Sequence, residues 1–214
     1  ERVQRAIRRF QYDNATVKVD WALTGPIPWE NDDVRRAGTV HVADGIDHLA
    51  DVDTELAKGR VPARPFLVVG QMDVADPTRA RTAWAYTHVP QGAAVGSEFI
   101  DRIEARMEEH APGFRDRIGS RYVQLPKDLE AANANLVGGA INGGTAQLQQ
   151  QLVFRPIPGL GRPGTPVRGL FLASASAHPG GGVHGACGAN AARAAIAADR
   201  RRRVVSSVRT RGRA

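Results

Sequence analysis

Gly169-Leu-Phe-Leu-Ala-Ser-Ala-Ser-Ala-His-Pro-Gly-Gly-Gly-Val-His-Gly-Ala-Cys-Gly-Ala-Asn-Ala-Ala-Arg-Ala-Ala-Ile196 reads as a short apolar strand, a glycine-rich turn and an alanine-rich helix. A strand that hands over to a helix through Gly180, Gly181, Gly182, Gly185 and Gly188 brings backbone N–H groups and a helix N-terminus to one point, with no Cβ in the way. The helix adds the equivalent of roughly half a positive charge there when the point is shielded from water. Such a point suits a phosphate or another electron-rich group. As a bare glycine pattern it is only weakly specific. The GxxxxGK[ST] loop of nucleotide triphosphatases is absent, and so is GxGxxG followed by an acid about 20 residues on.

Outward from that stretch, Val17, Val19, Trp21 and Leu23 alternate with polar or small residues, the period of two expected of a strand with one buried face. Thr39–Ala43 is a second short strand. Asp44 stands where an N-cap belongs, ahead of a helix with Ile46, Leu49 and Leu56 on one side and Gly59 as its stop. Phe66–Met72 is a buried strand and Thr82–Val89 its partner. Trp84, Tyr86 and His88 share one face of the latter. They either pack on the core or line an apolar cavity, and nothing nearby is arranged to orient His88 as a base. Ser97–His110 carries Ile100, Ile103 and Met107 at helical spacing and ends at Pro112-Gly113. A shorter helix covers 127–134. The two glycine pairs in Gly138-Gly-Ala-Ile-Asn-Gly-Gly144 ask for close backbone approach, by a ligand or by another strand.

The 214 residues are 42% hydrophobic, enough for a real core, and the formal charge is +7. Residues 200–214 hold seven arginines and no acid, so residues 1–199 balance at 22 bases and 22 acids. The basic stretch is expected to be a solvated, disordered tail, and nucleic acid is not expected as a partner. One cysteine excludes an internal disulfide framework, and a cytoplasmic protein is expected. The spacing of His178, His184 and Cys187 corresponds to no common zinc arrangement, so no metal is expected. Cys187 reads as a small buried helix residue rather than a nucleophile served by His184. Because the chain begins at Glu1 without methionine, an upstream signal or domain is expected.

A series of motifs then carries a resemblance. Phe66-Leu-Val-Val-Gly-Gln, Asp76-Pro-Thr-Arg-Ala, Trp84-Ala-Tyr-Thr-His-Val-Pro90, Ala111-Pro-Gly-Phe114, Asn135-Leu-Val-Gly-Gly139, Gln151-Leu-Val-Phe-Arg-Pro156, Thr165-Pro166 and Leu170 through Gly185 occur in order. Over roughly residues 15–198 the chain resembles the C-terminal half of the phytoene dehydrogenase-like (carotenoid desaturase-like) FAD-dependent oxidoreductases. The resemblance implies a mixed α/β fold: part of a Rossmann-like FAD-binding domain plus the sheet-containing substrate domain of a two-domain flavoprotein. It assigns residues 1–94 mainly to the substrate domain, 95–134 to helices and connections, and 135–199 to the FAD-binding domain.

By the same resemblance Ser176, His178, Pro179, Gly180, Gly181, Gly182, Val183 and Gly185 lie beside the flavin. Trp84, Tyr86 and His88, from their shared face, are the candidates to line an apolar substrate cavity. The redox chemistry belongs to FAD, so no catalytic acid or base is required in this chain. The implied partners are an apolar small-molecule substrate, dehydrogenated or isomerised, and an N-terminal half of the same protein bearing GxGxxG. Peripheral contact with a membrane is compatible with such a substrate. A flavin-less remnant or interaction module is the alternative. Ala140 stands where the family often has aspartate, Ser174 where glycine is usual and Ala177 where threonine is.

Overall fold

The computed structural model describes the backbone of residues 1–211 and the side chains of residues 1–203. Its elements run α1 (Arg2–Ile7), β1 (Ala15–Leu23), α2 (Asp32–Arg35), β2 (Thr39–Val42), α3 (Ile46–Ala57), β3 (Leu67–Gln71), α4 (Met72–Ala75), β4 (Thr82–Val89), α5 (Ser97–His110), β5 (Ile118–Gln124), α6 (Pro126–Ala132) and α7 (Ala186–Arg211). This is a mixed α/β chain in two compact units, one of residues 14–134 and the other of residues 1–13 with 135–214.

The 14–134 unit is built on a five-stranded sheet of order β2-β3-β4-β1-β5, every neighbouring pair antiparallel. Period-two alternation sends Val17, Val19 and Trp21 of β1, Leu67 and Val69 of β3, and Ala83, Ala85 and Val89 of β4 to one side. There they join Phe99, Ile100, Ile103 and Met107 of α5 in one core. Each fully buried branched or aromatic side chain of this kind contributes roughly 1.5–3 kcal/mol by leaving water. The indole of Trp21 meets the Phe114 ring edge-on at 5.1 Å and donates to Glu104 Oε1, itself paired with Arg121 at 3.0 Å.

Three expectations are corrected in this unit. The helix after β2 is capped at Gly45 with no side-chain bond, and its buried residues are Val52 and Leu56, while Ile46 and Leu49 are exposed. Asp44 is drawn off by a stronger demand: its carboxylate accepts from Arg64 at 2.8 Å and from Arg106 at 2.7 Å. The aromatic face of β4 does not pack on the core, because the small side chains Ala83, Ala85 and Thr87 occupy that side and leave Trp84, Tyr86 and His88 on the other, half-buried.

In the second unit, residues 10–13 lie antiparallel to 143–145. Asp13 N–H donates to Gly143 O, Thr145 N–H donates to Gln11 O, and Tyr12 bridges to Gly144. This pairing explains why residues 1–13 do not go with the sheet that follows them. The strand expected at the start of the Gly169–Ile196 stretch does not form. Phe171 makes only an isolated bridge to Gly164, and without a ladder its backbone has no reason to stay extended over several residues. The helix does form, and it runs past the expected end at 199. Arginine is a good helix former, and Asp199 pairs with Arg202 and Arg203 at i+3 and i+4. The expected disordered tail is therefore helical as far as Arg211, and residues 212–214 lie outside the described residues.

Candidate functional site

Arg155 lies against Gly180 at the start of the glycine turn, where a Cβ would come within 3.3 Å of its Nε. This side chain is buried, and its guanidinium donates to the backbone carbonyls of Asn142 (2.9 Å), Gly144 (3.0 Å), Thr145 (2.9 Å) and Ala175 (2.8 Å). It thereby ties the 142–145 loop to the chain just before Ser176. Burial lowers its pKa, while the charge on Asp13 opposes that fall. Among the described residues no carboxylate pairs with it directly, so backbone dipoles satisfy the charge.

Several of the glycines are explained by this packing. A Cβ on Gly143 (φ +68°) would lie 2.4 Å from Ser176 Oγ, and one on Gly181 2.7 Å from Asn142 Oδ1. One on Gly182 (φ +153°) would lie 2.8 Å from the His184 ring. The close approach foreseen for the 138–144 glycines is thus made at Gly143 and Gly144 by protein, with Phe10 and Gln150 against the latter.

The exposed side of the turn has a different character. Gly181, Gly182, Val183, His184 and Gly185 are all exposed, and the Val183 side chain points wholly into solvent. Gly185, with φ +61°, faces open space and leads into the N-terminus of the 26-residue α7. His184 Nδ1 accepts the Ala186 N–H at 3.0 Å. His178 Nδ1 is buried and finds no hydrogen-bond partner among the described residues. The His178-Pro179 peptide is cis. Cys187 is buried, its thiol donating to Gly180 O at 3.2 Å and Ala177 O at 3.5 Å, an arrangement that packs the turn on the helix.

Ser176, His178, Pro179, Gly180, Gly181, Gly182, Val183 and Gly185 therefore fall in one segment, but with two orientations. Ser176 and Gly180 face inward, Ser176 also touching an apolar cavity of about 660 Å3, whereas Gly181 to Gly185 face out. The turn can offer an electron-rich group a Cβ-free backbone and a helix N-terminus.

Trp84, Tyr86 and His88 belong to the other unit. Their rings form a file along β4, Trp84 stacked on Tyr86 at 5.9 Å and Tyr86 edge-on to His88 at 5.8 Å, with Phe66 5.9 Å from His88. Gly70 makes room for it, since a Cβ there would lie 2.2 Å from the Trp84 ring. Burial raises the pKa of Tyr86. Among the described residues no helix is long and apolar enough to cross a membrane, and no group of three or more His, Cys, Asp or Glu is placed to hold a metal ion.

Comparison with known proteins places similarity on part of the chain. It is 37% identical over 152 residues to the rat (Rattus norvegicus) pyridine nucleotide-disulfide oxidoreductase domain-containing protein 2, covering 64% of this chain and 26% of the rat protein. The mouse (Mus musculus) protein of the same name is 42% identical over 94 residues, 44% of this chain and 16% of its own length. The chain thus spans about a quarter or less of the curated relatives it matches. No family model matches it.

Proposed function

We propose that this chain supplies the flavin-side closing segment of an FAD-dependent oxidoreductase acting on an apolar substrate. Similarity to proteins named for an oxidoreductase domain supports the general class. The observation that carries the cofactor is the outward side of the turn: exposed backbone at Gly181–Gly185 leading into the α7 N-terminus. These residues fit an electron-rich ring edge. When bound, FAD supplies the two-electron chemistry, taking hydride from the substrate. The turn's N–H groups and helix dipole favour negative charge beside them, and so stabilise the reduced form. Arg155 braces the 142–145 loop and the chain before Ser176, and the aromatic file of β4, taken by itself, is an apolar surface suited to a hydrophobic substrate.

Titrating FAD into the 214-residue chain tests this reading. Saturable binding that Gly182→Ala weakens supports it, since the added Cβ must displace the His184 ring at a φ disfavoured for L residues. No binding at millimolar FAD contradicts it. A second reading, an interaction module without flavin, is favoured by the exposure of Leu148, Leu152 and Val153, and that same null result would support it.

A further inference from the structure

We propose that the 1–13/135–214 unit carries a second binding site, distinct from the glycine turn, for an anionic amphiphile: one apolar chain ending in a carboxylate or phosphate. The site is a groove of about 820 Å3 whose wall includes α1 and whose floor includes Phe154, Ile157 and Leu160. Its volume lies within the range of small-molecule sites. Arg2, Arg5 and Arg9 line it, spaced at i, i+3 and i+7, which puts them on one side of α1 and the turn that continues it through the Arg9 N–H to Ala6 O bond. No acidic residue lines the groove, and none of the three arginines has an ion-pair partner among the described residues.

The two halves of the groove select different parts of one ligand. Three unpaired guanidinium groups recognise an anion through charge-assisted, bidentate hydrogen bonds. The Phe154, Ile157 and Leu160 floor offers a phosphate-bearing polar molecule nothing but loss of hydration, whereas it accepts a hydrocarbon chain. The charge of the whole unit acts in the same sense. Residues 1–13 and 135–214 hold 15 basic and three acidic residues, a net +12, whereas residues 14–134 hold 14 basic and 19 acidic ones, a net −5. Within residues 1–199 alone this unit holds eight basic and three acidic residues, a net +5 that the overall balance conceals, and its charge draws anions to the groove.

The test is displacement of a dansyl-labelled fatty acid from the 214-residue chain by oleate below its micelle concentration, by uncharged methyl oleate, and by phosphatidylglycerol vesicles. Oleate is expected to displace the probe, and methyl oleate to do so at least about tenfold more weakly for want of the charged head. Changing Arg2→Gln, Arg5→Gln and Arg9→Gln together should weaken oleate about tenfold, with the lysine triple variant, which keeps the charge but loses the bidentate fork, falling between the two. These arginines are exposed, so an unchanged melting curve is expected alongside. Phe154→Glu, which places a like charge on the floor, should abolish binding. Equal affinity for oleate and methyl oleate, or full affinity in the glutamine variant, would overturn the proposal. So would retention by vesicles without displacement by monomeric oleate, which would assign the arginines to a bilayer surface. No groove residue belongs to the glycine turn, so failure here leaves the flavin reading untouched.

Discussion

The guanidinium of Arg155 directs its donors at four backbone carbonyls, and so ties the 142–145 loop to the chain just before Ser176. Nothing in the Leu-Val-Phe-Arg-Pro run announces this. An arginine flanked by apolar residues carries no signal of this role, because its partners are main-chain atoms that a sequence does not advertise. The glycines were legible as glycines, but not which of them make room for protein and which leave backbone open. Arg155→Gln should destabilise its own unit by about 3 kcal/mol or more, since several charge-assisted bonds go and buried carbonyls lose their donors. All three tryptophans, Trp21, Trp29 and Trp84, lie in the other unit. Faster amide exchange at Gly143–Thr145 with an unmoved tryptophan-emission transition is therefore expected. Unchanged exchange would show that the carbonyls do not depend on Arg155.

At the scale of elements, β1, β3, β4 and α5 were readable because alternation and helical spacing coincide there with local propensity. The face assignment of β4 was not. Alanines and a threonine make a weaker signal than tryptophan and tyrosine, yet it is Ala83, Ala85 and Thr87 that the core admits along the middle of this strand. The strand before the glycine turn failed for the opposite reason, an apolar run with no ladder to join. Asp44 shows the same limit, its side chain serving Arg64 and Arg106 instead of its own helix. Those two arginines hold the Asp44 carboxyl well below its ordinary range. Burial alone would push Glu109 up, but Arg64 and Arg106 outweigh it and keep it low, and the N–H groups of Arg115 and Gly113 lower Glu108. Folded-state pKa values below the unfolded ones mean stability that is complete above about pH 4–4.5 and is lost as pH falls further. Acid should therefore lower the tryptophan-monitored unfolding midpoint, and Asp44→Asn should shrink that fall while costing stability at pH 7. An equal acid response in the variant would remove Asp44 from the cause.

For the whole molecule, the summed charge hides opposite charges on the two units, +12 on residues 1–13 with 135–214 and −5 on residues 14–134. Residues 1–13 return to pair with 143–145, a long-range pairing with no sequence signature, and they take their arginines with them. The same return builds the groove proposed for an anionic amphiphile. The central claim remains that the Gly180–Gly185 turn meets the flavin. Amide NMR of the 214-residue chain during titration with FAD to millimolar concentration tests it most directly. The account predicts saturable shifts at Gly181 through Ala186 and at the His178 ring, with the Arg155-bonded loop moving little. Shifts confined to other residues, or none at all, would contradict it.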